Sequence, residues 1–140
     1  MSQSITVYAV SDMTGETVAR VVRAASAQFP QGEVRIKVLQ HASSAEEIVN
    51  FIEGQGDTSH PQAVFHTILS KRMREDLRHA LQTLRIPSVD LLGSTAHVMA
   101  DLLGERPQAT PGLTIDDGAE PTYFDLADAR MSPTPVRSKL

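Results

Sequence analysis

From Ile5 to Leu103 the chain alternates strand-length apolar runs with helix-length apolar stripes, and the alternation is never broken. Residues 5–10, 34–39, 63–69 and 89–92 read as strands, each followed by a segment with helical spacing. Strands separated by helices cannot pair as hairpins. Each must return over the sheet, which demands a parallel sheet with right-handed crossovers. The second run alternates Val34, Ile36 and Val38 with Arg35 and Lys37, the pattern of an edge strand with one solvated face. The third is apolar apart from His66 and Thr67, as a central parallel strand should be. The predicted fold is therefore α/β, a flavodoxin-like three-layer sandwich with strand order 2-1-3-4.

The helical stripes are explicit. Val18, Val21, Val22, Ala25 and Phe29 mark the first, stopped by Pro30 and Gly32. Ala45, Ile48, Val49 and Ile52 mark the second, opened by a capping box in which Ser44 and Glu47 serve each other. Met73, Leu77, Ala80, Leu81 and Leu84 form the third behind Ser70 as its cap. Ala96, Met99 and Leu103 predict an inward face for the fourth, between Gly93-Ser94 and Gly104. Residues 1–106 make the predicted α/β domain. Five prolines follow (Pro107, Pro111, Pro121, Pro133, Pro135), so 107–130 is read as an extended arm and 131–140 as a disordered tail.

Composition removes several functions. Without cysteine there is no disulfide, thiolate nucleophile or cysteine-held zinc. A net charge of −4 and the absence of tryptophan argue against a nucleic-acid partner. No apolar run reaches membrane-spanning length and the opening MSQS is not a signal peptide, so a cytoplasmic protein is expected. The third helix carries Lys71, Arg72, Arg74 and Arg78, interrupted by Glu75 and Asp76. That pattern fits a solvated face, and less often a docking patch for an acidic partner, with Arg74 and Arg78 as its candidates.

Ligands of open parallel sheets bind at the carboxyl edge of the strands. There the chain places Ser11, Asp12, Thr14, Gly15, Glu16 and Thr17 after the first strand, His41 after the second, and Ser94 after the fourth. Hydroxyls and helix N-termini suit an anion or phosphate held by many weak donors. The same residues have plainer readings: Glu16 can satisfy the dipole itself, and Thr14 can be an ordinary N-cap. Asp12 can bind magnesium or merely orient its loop. His41 and His66 lie near the rim, where a lone histidine is more often structural. Neither GxGxxG nor a glycine-rich loop ending in Gly-Lys-Ser/Thr is present, and no triad or metal spacing is found. No catalytic residue and no metal ligand is assigned.

The stretch VYAVSDMTGETVARVVRAASAQF closely resembles the opening of the bacterial regulatory proteins of pyruvate, phosphate dikinase and phosphoenolpyruvate synthase. Ser11, Asp12, Thr14, Gly15, Glu16, Thr17, Gln28 and Phe29 carry the likeness, while Met13 replaces a small polar residue. It continues through Arg74, the V-D-L-L-G element at 89–93 and Pro111-Gly112 to Tyr123-Phe124, after which the sequence departs from the family. The resemblance implies a bifunctional regulator that phosphorylates a threonine of its target with ADP and reverses this by phosphate-dependent release of pyrophosphate. It also implies a dikinase or synthase partner and a C-terminal phosphate-loop domain with a G-V-S-R-x-x-K-T-P stretch, absent from these residues. This chain accordingly reads as an N-terminal domain that binds no cofactor of its own, with ADP/ATP and phosphate belonging to the full-length protein. Catalysis by it alone is not expected, since phosphoryl transfer needs a phosphate cradle and placed cations. The competing reading is a stand-alone module for phosphate or a phosphorylated metabolite. A homodimerising structural domain is compatible with either.

Overall fold

The computed structural model describes residues 3–57 and 59–110. Its elements run β1 (Ser4–Val10), α1 (Glu16–Ser26), β2 (Glu33–Leu39), α2 (Ala45–Gly54), β3 (Gln62–His66), α3 (Lys71–Leu84), β4 (Ser88–Asp90) and α4 (Gly93–Leu103). The four strands form one all-parallel sheet in the order β2-β1-β3-β4, as the strand patterns require. Parallel registers such as Val10 opposite both Leu39 and His66 align the strand ends, so every following loop opens on one edge.

β1 is covered on both faces and divides the core. Tyr8 and Val10 point to one side, with Ile48 and Ile52 of α2, Val64, Ile68, and Leu77 and Leu81 of α3. Val7 and Ala9 point to the other, against Val18 and Val22 of α1. The alternation is the period-two geometry of a strand meeting helices on both sides. Tyr8 packs edge-on to Phe51 at 6.1 Å between centroids, and its hydroxyl donates to Gln62 Oε1 at 2.8 Å. Beside it, buried Thr6 donates its hydroxyl to Asp57, which holds that carboxyl below its ordinary pKa.

Several expectations need correction. β3 stops at His66 and β4 spans only Ser88–Asp90, because the following residues turn to make loop contacts at the carboxyl edge. α1 ends at Ser26; Gln28 and Phe29 then donate to Ala25 and Ser26 in tighter turns, which carries Phe29 off the stripe and leaves it 65% exposed. Ser44 caps α2 as expected, and only the return bond from Glu47 is shifted by one residue. Ser44 Oγ accepts the Glu47 N–H at 3.0 Å, but the Glu47 carboxylate takes the N–H and hydroxyl of Ser43, not of Ser44. Ser70 caps α3 as expected, accepting from Met73 N–H at 3.2 Å.

The largest departure is α4. Met99 and Leu103, expected inside, are 57% and 72% exposed, alongside Val98 and Leu102. Gly93 is its one fully buried residue. The helix is anchored by its first turn and carries its apolar residues outward. The arm reading applies here only to 107–110, which are exposed and irregular; 111–140, including the predicted tail, lie outside the described residues.

Candidate functional site

Among the clefts that the described residues form at the carboxyl edge, two gather most of the sequence candidates. The first is a cavity of about 280 Å³ lined by residues 11–17 together with Thr67, Leu69 and Leu92. It gathers six of the sequence candidates: Ser11, Asp12, Thr14, Gly15, Glu16 and Thr17. Gly15 makes the bend, with φ at +84° in the left-handed region, and a Cβ there would meet Val38 Cγ1 at 2.9 Å.

The bend's polar groups are partly consumed from within. Ser11, almost fully buried, accepts the Met13 N–H at 2.8 Å, and the Thr14 hydroxyl receives Glu16 N–H at a long 3.4 Å. Thr14 is thus not the N-cap; Gly15 holds that position and offers no side-chain acceptor. Among the described residues the amides of Gly15, Thr17 and Val18 have no acceptor. Asp12 Oδ2 accepts the Leu69 N–H at 3.0 Å, which ties the β1 loop to the β3 loop. His41 contributes backbone only. Its N–H donates to Met13 O at 2.8 Å and its φ is 53°, while its exposed side chain lies outside the cavity lining.

Ser94 is not beside the bend. It lines a second cleft of about 560 Å³ between α3 and α4, together with Arg74 and Arg78. Arg74 is no surface charge there; its side chain is 24% exposed and its Nη1 lies 3.6 Å from Asp90 Oδ2. Asp90 Oδ1 in turn accepts the Gly93 N–H at 2.7 Å. The Gly93 Cα is pressed against this pair, since a Cβ would come within 2.2 Å of Asp90 Oδ2. Glycine is the residue that fits the V-D-L-L-G turn, and contact with an ion pair is the reason.

Sequence reasoning passed over Asp90 and gave His66 a structural role. His66 is 4% exposed and lines the second cleft. Its Nδ1 accepts the Ile68 N–H at 3.3 Å, so the neutral ring carries its proton on Nε2. Burial holds its pKa below the ordinary histidine value; the Arg74 charge adds to this, while Asp90 and Asp12 oppose it. The signal that could have found the cluster is positional. His66 ends β3, Asp90 ends β4, and adjacent parallel strands that end level bring such residues together, with His66 opposite Asp90. No described helix is long and apolar enough to cross a membrane.

A doubly wound α/β domain with a hydroxyl-rich bend after its first strand is a class with many members. The chain belongs to the kinase/pyrophosphorylase family, whose model matches residues 7–130. The match runs past Phe124 to residue 130, which corrects the expected departure from the family after Phe124. Among its relatives, proteins provisionally named pyruvate, phosphate dikinase regulatory protein occur in Rhodospirillum rubrum, Geobacter sulfurreducens and Citrifermentans bemidjiense. The first is 36% identical, with 91% of this chain and 45% of the relative covered. The second is 34% identical over 88% and 44%, and the third 30% identical over 93% and 57%. The chain spans about half the length of the curated relatives it matches.

Proposed function

We propose that this chain works as the N-terminal part of a regulatory serine/threonine kinase and pyrophosphorylase. Its target is pyruvate, phosphate dikinase or phosphoenolpyruvate synthase. ADP serves as phosphoryl donor in the forward direction, and inorganic phosphate drives the reverse reaction. The observation that carries this reading is the family match over residues 7–130, supported by relatives named as dikinase regulators. The chemistry of the chain's own residues is consistent with a share in that work. The bend at 11–17 offers hydroxyls and open amides to a phosphate, at the edge where parallel sheets bind ligands. Phosphoryl transfer also needs cations at the transferring group. Among the described residues the bend cavity has none in its lining, so the chain's part there is recognition, with transfer completed by the remainder of the family's architecture.

The test is retention of purified dikinase and of purified synthase on the immobilised chain, with and without ADP. Retention of one of the two, weakened by Thr14→Ala or Thr17→Ala, is the expected result. Failure to retain either enzyme under both conditions overturns the proposal.

A further inference from the structure

The cleft between α3 and α4 holds a combination that the dikinase reading does not use. Three cations, Lys71, Arg74 and Arg78, share its lining with two carboxylates, Glu75 and Asp90. Asp90 is already committed: one oxygen faces Arg74 and the other accepts from Gly93 N–H. Its charge is thereby answered within the fold, and it fixes the Arg74 guanidinium in the cleft wall. Lys71 has no side-chain partner among the described residues. At the α4 N-terminus Leu92, in the cap position, supplies no side-chain acceptor, and the Asp90 carboxylate takes only the first amide, that of Gly93. The decisive group is His66. It is buried, its Nδ1 is filled by Ile68 N–H, and its Nε2–H has no acceptor among the described residues while the ring lines the cleft. An unanswered donor on a side chain this buried is uncommon and calls for an acceptor.

We propose that this cleft is a second oxyanion site, which takes a phosphate group on His66 Nε2–H, the cations Lys71, Arg74 and Arg78, and the Ser94 amide at the head of α4. The donors belong to three elements, β3, α3 and α4, and line one cleft. A carboxylate has two oxygens in one plane and leaves part of this set unmatched. A tetrahedral phosphate presents three or four oxygens and matches it. The cleft, at about 560 Å³, is within the range of small-ligand sites. Inorganic phosphate and the phosphate of a modified side chain share the required chemistry. The site stands whether or not the dikinase is the target.

The experiment is an NMR titration of the full, ¹⁵N-labelled chain with inorganic phosphate and, separately, with N-acetyl-phosphothreonine amide. Sodium chloride at matched ionic strength serves as control. His66 Nε2 and the Ser94 amide are expected to shift saturably with the phosphates and not with chloride. The doubly substituted Lys71→Ala/Arg78→Ala chain, altered only at exposed side chains, is expected to bind at least about tenfold more weakly. Arg35→Ala, an exposed side chain outside both cleft linings, is expected to leave the affinity unchanged. Tighter binding of the phosphothreonine amide assigns the site to a phosphorylated side chain; equal or tighter binding of inorganic phosphate assigns it to the free ion. The inference is overturned if His66 Nε2 stays fixed in both titrations, if chloride moves it equally, or if the double variant binds as well as the parent.

Discussion

His66 and Gly93 show how single positions at the carboxyl edge are set by their surroundings. The folded state disfavours the charged form of His66, mainly through burial, so its folded pKa lies below the unfolded 6.5. As pH falls through that value the unfolded chain takes up a proton that the folded chain refuses. The contribution is therefore intact above about 6.5 and is lost on acidification. Urea unfolding at about pH 7.5 and about pH 5.5 should show the loss, and His66→Gln should flatten that part of the pH dependence. Gly93 is fixed by contact and not by φ. Its added Cβ would stand 2.1 Å from Arg74 Nη1, so Gly93→Ala must displace the Arg74–Asp90 pair. A loss of about 1–3 kcal/mol by denaturant unfolding is expected. The sequence displayed this glycine within V-D-L-L-G, but nothing in one dimension revealed that an arginine from α3 presses on it.

Helices α2 and α3 were readable because their signals are local. A serine followed by an apolar stripe needs no tertiary partner to be recognised, and Ser44 and Ser70 cap as their positions imply. Replacing Ser70 with alanine should cost about 0.5–2 kcal/mol, measured as a shift in urea midpoint at constant slope. Leu77 and Leu81 on the same helix are 0% and 1% exposed, in keeping with their stripe. The stripe of α4 is equally periodic, yet its residues lie outward. Periodicity reports that a helix has an apolar face; it does not report whether a neighbour within the described fold covers that face. The contrast is measurable. Leu77→Ala should cost about 2–5 kcal/mol, whereas Leu102→Asp, at a residue 82% exposed, should alter stability by no more than about 0.5 kcal/mol. A large loss at Leu102 would mean that α4 is covered in solution.

Across the molecule, strand order 2-1-3-4 follows from two sequence facts, the alternating charges of β2 and the apolar run of β3. The bend at 11–17 was visible for the same reason: it is contiguous in sequence. The α3–α4 cleft was not, because its residues come from β3, α3, β4 and α4 and meet only when parallel strands end level. Both clefts lie at the carboxyl edge, and under the proposed function that edge is the one that meets the target enzyme. Hydrogen exchange of the chain, free and bound to the dikinase or synthase that retains it, tests this most directly. The account predicts slowed exchange at residues 13–18 and 93–96, with the opposite edge, near Gly32 and residues 85–87, unchanged. Slowing confined to that opposite edge, with both clefts exchanging as in the free chain, would contradict it.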